Sequence, residues 1–168
     1  MQYMNTEHRN MQSDDFDFII GSWTVEHSRL KERLNGCQEW IGFSGQSTTT
    51  KILSGLGNLE DNLLHLPEGD YRAAAFRSYD TKSKMWAIWW LDTRNPHSID
   101  VPVIGQFEDG VGVFYADDVL NSAAIRVRFT WSVPSDGVPR WEQAFSADLG
   151  VTWETNWKMK FTRAKQPI

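Results

Sequence analysis

A chain of 168 residues with 22 acidic and 17 basic side chains carries a formal charge of −5, and no basic patch in it is concentrated enough to favour nucleic acid. That length suits one domain whose core needs no staple, and a single cysteine, Cys37, excludes an internal disulfide and fits a reducing compartment. The longest wholly apolar run, Met85 to Leu91, is far too short to span a bilayer, so no membrane partner is expected.

Residues 1–15 are polar and without periodicity, and read as a flexible tail ahead of a single domain over 16–168. They lack the apolar core of a signal peptide, so a cytoplasmic protein is expected. Ser13, followed by Asp14, Asp15 and Asp17, suits the start of a short helix, which would lay Phe16 and Ile19 or Ile20 beneath the floor of the structure that follows.

From Trp23 the period becomes two, with Trp23, Val25, His27 and Arg29 facing one way and Thr24, Glu26 and Ser28 the other. Asn35-Gly36 marks the first turn. Cys37 to Phe43 then predicts a strand that carries Cys37, Glu39, Ile41 and Phe43 on one side, and Gln46 to Leu53 a Thr-rich, half-exposed one. Gly55-Leu56-Gly57 predicts a break or bulge. Tyr71 to Tyr79 is a strand in which Ala73, Ala74 and Ala75 lower the local bulk and leave interior volume.

Met85 to Leu91 is apolar on both faces. One face fills an interior and the other needs a cover, which a second subunit would supply as a homodimer. Pro102 predicts an edge or bulge before Val103, and Asp109-Gly110 turns into a strand over Val111 to Asp117. Ile125 to Trp131 alternates apolar residues with Arg and Thr. Arg140 to Ala147 follows, and Trp153 to Arg163 closes the chain. The segments amount to about ten strands, which predicts an all-β, antiparallel up-and-down barrel with the short N-terminal helix closing one end. First and last strands are neighbours in such a barrel, so Arg163 is expected over the Trp23 indole as a cation–π lid.

Several stretches together resemble the DUF1579 group of uncharacterised bacterial lipocalin-like (calycin) proteins. They are Asp17-Phe18-Ile19-Ile20-Gly21-Ser22-Trp23, Gly55-Leu56-Gly57-Asn58, Trp89-Trp90-Leu91-Asp92, Phe107-Glu108-Asp109-Gly110, Arg126 to Trp131, Trp141 to Ser146 and Thr152 to Trp157. The likeness runs from Phe16 to Arg163. It implies an antiparallel barrel with a central cavity and supplies no catalytic motif. The related nitrobindin-like barrels hold haem through a late-strand histidine. Here no histidine follows His97, which leaves haem only a substitute ligand such as His27, so no cofactor is expected.

Motifs for other chemistries are missing. Glu60 stands where a dinucleotide fingerprint beginning at Gly55 needs its third glycine, and no Gly-x-Ser-x-Gly elbow occurs. His8, His27, His65, His97 and Cys37 have no metal-ligand spacing, so no metal is expected. Asp117 and Asp118 are strand neighbours and point to opposite faces, which prevents their acting on one atom.

Nine tryptophans either fill the interior or line a pocket that stacks a small hydrophobic or aromatic ligand. In the second case Trp23, Trp90, Tyr115 and Trp157 are candidate walls, and His27, Glu39, Asn58 and Gln143 candidate polar anchors. A His27–Glu39 contact inside the cavity would poise the imidazole for proton transfer and make the barrel a cofactor-free isomerase, cyclase or dehydratase. Without that contact a non-catalytic binding barrel is the simpler reading, and a filled barrel that dimerises through Met85 to Leu91 is the third.

Overall fold

The structure, a computed structural model, describes residues 12–165. Ten strands follow one another: β1 (Gly21–Leu30), β2 (Trp40–Ile52), β3 (Gly57–Leu66), β4 (Gly69–Asp80), β5 (Met85–Asp92), β6 (Val103–Glu108), β7 (Val111–Leu120), β8 (Ala123–Ser132), β9 (Arg140–Ser146) and β10 (Glu154–Arg163). Each pairs antiparallel with its sequence neighbours, and β1 pairs with β10, so the sheet closes on itself and leaves no edge. The alternation read from the sequence is what the barrel uses: Trp23, Val25 and His27 of β1, Phe161, Met159 and Trp157 of β10, and Ile125, Val127 and Trp131 of β8 are buried inside it.

The Thr-rich stretch and the segment before it form one continuous strand, β2, which starts at Trp40 rather than at Cys37. Residues 31–39 are a loop instead, with Leu34 and Gly36 at positive φ. Pro102 immediately precedes β6, where its missing N–H is harmless. The β5–β6 seam is the shortest ladder in the barrel, with three Cα pairs from Trp86↔Gly105 to Ile88↔Val103.

The expected N-terminal helix is not formed. In its place are two single 3-10 turns, Gln12–Asp14 and Asp17–Ile19, and Phe16 makes no side-chain cap. Phe16 and Ile19 are the apolar side chains buried here. A spacing of three matches one 3-10 turn, and Gly21 then begins β1 with no room for a second. Lys51 holds the acidic run from outside, 2.9 Å from Asp17 and 3.8 Å from Asp14. Residues 1–11 of the expected tail lie outside the described residues, whereas Ser13 is buried and the Asp15 carboxylate accepts the Trp86 indole N–H at 3.2 Å.

The turns plug one end of the barrel. The Phe16 ring meets Trp86 and Phe107 edge to face at 4.9 Å and lies over Phe114 at 5.8 Å. Beside the plug, Arg163 covers Trp23 with its guanidinium 3.9 Å from the ring, as the closure of the barrel predicts. It also donates to the Ile20 carbonyl at 2.6 Å. Gly21 makes this possible: its φ is +120° and a Cβ there would collide with the Arg163 guanidinium.

Above the plug the interior is polar on one side. β3 turns Asn58, Glu60 and Asn62 inward and β4 turns Arg77 inward, all buried. Arg77 is ion-paired to Glu60 and donates to the Asn58 side-chain carbonyl at 2.7 Å, with its guanidinium 5.1 Å from both the Phe16 and the Trp131 rings. A void of about 30 Å³ next to Ala75 and Arg77 has room for roughly one water. The small side chains of Ala73 and Ala75 thus leave little unfilled space at this level.

Candidate functional site

The opposite end of the barrel is open. There the loops after β1 and β5, with the neighbouring ends of β1, β5, β7, β8, β9 and β10, line a cavity of about 540 Å³. Its floor is aromatic: Trp90 of β5, Phe129 of β8, Trp141 and Phe145 of β9, and Trp157 of β10. These rings hold one another in place. Trp157 meets Trp141 edge to face at 5.4 Å and Trp90 at 5.9 Å, while Phe129 meets Trp141 at 4.9 Å. Such edge contacts each add about 0.5–1.5 kcal/mol beyond burial and fix the ring planes.

The rim is charged and mostly positive. Arg29, Lys31 and Arg33 rise from β1 and its loop, and Arg94 from the loop after β5, against two acidic groups, Asp92 and Asp100. This positive lining stands out on a chain whose net charge is −5. Lys31 is engaged with Glu39 at 3.3 Å. Arg94 makes a two-pronged contact with Asp92, Nε to Oδ1 at 3.1 Å and Nη2 to Oδ2 at 2.7 Å. Burial alone would raise the Asp92 carboxyl, but hydrogen bonds from Arg94 and Trp90 hold it below the ordinary aspartate value. Asp100 is raised instead, by burial and by the nearby Asp118 and Asp92 carboxylates. Its backbone N–H bonds the Trp90 carbonyl at 2.9 Å, which docks the β5–β6 loop on the cavity wall. On the facing side, Asp148 is pushed down to about 2 by hydrogen bonds from Thr152 and Ser146, which tie up the β9–β10 loop.

His27 sits one layer behind the floor. Its ring stacks on Phe43 at 4.6 Å, and its Nδ1 accepts the Trp157 indole N–H at 3.2 Å. Its Nε2 lies against Gly45, where a Cβ would stand 2.8 Å away. Burial, reinforced by Arg29, pushes the imidazole down to about 3, so it is neutral at physiological pH and holds the Trp157 indole by its lone pair.

Three of the eight residues singled out in the sequence line this cavity: Trp90, Gln143 and Trp157. His27 supports it from behind. Glu39 does not enter. It shares the parity of Ile41 and Phe43, but the strand has ended before it, and its side chain is exposed at the rim. The His27–Glu39 contact on which an acid/base pair would depend is not made: Glu39 pairs with Lys31, and His27 with Trp157 and Phe43. Tyr115 is on the outer face of β7, 6.0 Å from Trp153. Trp23 and Asn58 are buried at the plugged end, Trp23 donating to the Ile19 carbonyl at 2.7 Å and Asn58 accepting from Arg77. Gln143 is fixed by donating to the Asn156 side-chain carbonyl at 2.8 Å.

The sequence reading missed Arg33, Tyr71 and Arg94. Arg29 carried a signal, since it continues the inward alternation of Trp23, Val25 and His27. Loop residues carry no periodicity, so Arg33 and Arg94 carried none. Asp117 and Asp118 do face opposite ways: Asp117 is exposed beside Arg126, and Asp118 lines a smaller recess with Asp100. Among the described residues no group of three His, Cys, Asp or Glu side chains could hold a metal ion, and no helix is long and apolar enough to cross a membrane. No protein-family model matches the chain, and no curated protein is significantly similar to it.

Proposed function

We propose that this protein, a barrel of the DUF1579 type, binds a small, flat, largely apolar molecule in the open end of its barrel. The observation that carries this reading is the cavity of about 540 Å³ floored by mutually locked aromatic rings. Its size falls within the roughly 300–1,000 Å³ of small-molecule sites. A protein that needed its tryptophans only as filler would pack them at both ends, as Phe16, Trp86 and Trp131 pack the plugged one. His27 favours a carrier over a catalyst, because burial makes it a weak base, its Nδ1 is taken by Trp157, and among the described residues no carboxylate pairs with it.

Isothermal titration calorimetry with 2-naphthamide, a neutral planar probe, tests this. Saturable binding at one site is expected, and Trp90→Ala should weaken it by about tenfold through loss of one stacking wall. If neither 2-naphthamide nor the related acid, 2-naphthoate, binds up to millimolar concentration, the reading is wrong.

A further inference from the structure

We infer that the ligand is an acid, a planar or hydrophobic monocarboxylate whose carboxylate is received by Arg29 and Arg33 beside the Tyr71 hydroxyl while its apolar body rests on the aromatic floor. This rests on the reading of the open end as a binding site. Three guanidiniums cluster there around one phenol: Arg29, Arg33 and Arg94 all lie within electrostatic reach of Tyr71. Among the described residues, Arg94 alone of the three has a carboxylate in an ion pair, Asp92. The nearest acid to Arg33 from the neighbouring strand, Glu154, spends one oxygen on the Leu34 backbone N–H at 2.9 Å.

Two buried polar atoms in this cluster want partners. Arg33 Nε makes no hydrogen bond, and the Tyr71 hydroxyl, on a side chain only 7% exposed, lies close to Arg29 without a hydrogen bond of normal geometry. Unsatisfied donors at this depth are unfavourable unless something fills them. Arg29 and Arg33 line the cavity, so an anion there accepts from their guanidiniums directly, and a small turn of the Arg33 side chain brings its Nε and the phenol behind it into the same set of bonds.

Arg29 is also held ready for the task. Its guanidinium lies 5.3 Å from the Trp157 ring and 5.6 Å from the Phe43 ring, a slot that fixes its plane and lets it present its donors without further ordering. The same slot puts the head-group site next to the floor, so one molecule reaches both. Asp92, paired with Arg94 and itself within electrostatic reach of Tyr71, and Asp100 put two carboxylates in the same lining, where they repel a second negative charge and select a monoanion such as a carboxylate over a phosphate dianion.

Calorimetry with the pair 2-naphthoate and 2-naphthamide isolates the carboxylate, because the two share one ring system and differ in charge. The wild-type protein should bind the acid at least tenfold more tightly than the amide. Arg33→Gln and Arg29→Gln should each weaken 2-naphthoate by about 10- to 100-fold, with 2-naphthamide within about threefold of wild type. Tyr71→Phe, which keeps the ring under Arg94, should weaken the acid alone. Equal affinities for acid and amide in the wild type overturn the inference and leave the aromatic pocket standing. Failure of both probes to bind overturns the pocket and the inference with it. The wild-type comparison needs no variant to fold, and unchanged melting curves of the variants keep their losses interpretable.

Discussion

Arg77→Met is expected to destabilise the barrel by about 3–5 kcal/mol, because it leaves the Glu60 carboxylate buried with no cation beside it. The side chains of Arg77 and Glu60 are 2% and 4% exposed, and the guanidinium also bonds Asn58 and lies between the Phe16 and Trp131 rings. Removing it therefore breaks an ion pair, a hydrogen bond and two cation–π contacts while stranding a charge. The double variant Glu60→Leu with Arg77→Met removes the stranded charge as well, and should recover most of the loss. Urea unfolding of the two single variants and the double variant measures this. Nearly additive losses would mean that the pair is not the unit holding this side of the barrel together.

The second large effect depends on pH through His27. A histidine ordinarily titrates near 6.5, and burial pushes this one down to about 3 in the folded chain. Between those values the unfolded chain binds a proton that the folded chain refuses. The stability that the neutral ring contributes is fully present above pH 6.5 and is lost as the pH falls toward 3, by up to about 1.4 kcal/mol per pH unit and roughly 5 kcal/mol in all. His27→Gln keeps an acceptor for the Trp157 indole but does not titrate. Urea midpoints from pH 7 to pH 4 should fall less steeply in this variant than in the wild type. Parallel curves would place the proton uptake on other groups.

Much of the barrel was legible because its strands alternate. β8 shows its inward Ile125, Val127, Phe129 and Trp131 as a plain period of two, and the ends of the chain are matched by Trp23 and Arg163, which are Cα partners across the closing seam. The N-terminal turn was harder to read, since aspartates at Asp14, Asp15 and Asp17 suit a helix start as well as a 3-10 turn. What decided between them is tertiary: Asp15 is taken by Trp86 and Asp17 by Lys51.

The candidate site was only half legible, for two physical reasons. No apolar alternation marks the first half of β3, where Asn58, Glu60 and Asn62 are the inward residues, and Arg77 on β4 pairs with Glu60 and Asn58 while Asn62 donates to the Glu60 carbonyl. Parity also says which way a side chain faces and not how far along the barrel it lies. Trp23, His27 and Arg29 share one face of β1, yet Trp23 belongs to the plug and Arg29 to the cavity. Glu39 has inward parity but stands beyond the last strand residue. Tyr115 was misplaced on the opposite count: β7 turns Phe114 and Ala116 inward and Tyr115 out. The arginines that give the cavity its sign come partly from loops, where no pattern announces them.

The most direct test of the open end as the binding site is a two-dimensional nitrogen–proton spectrum of the tryptophan indoles recorded while 2-naphthoate is added. Trp90, Trp141 and Trp157 line the cavity, whereas Trp23 and Trp86 are sealed at the plugged end with their indole N–H groups on Ile19 and Asp15. The indole signals of the first three should move together and saturate, with those of Trp23 and Trp86 staying in place. Shifts centred on Trp23 and Trp86, or on the outer-face Trp153, would contradict the assignment of the cavity as the site.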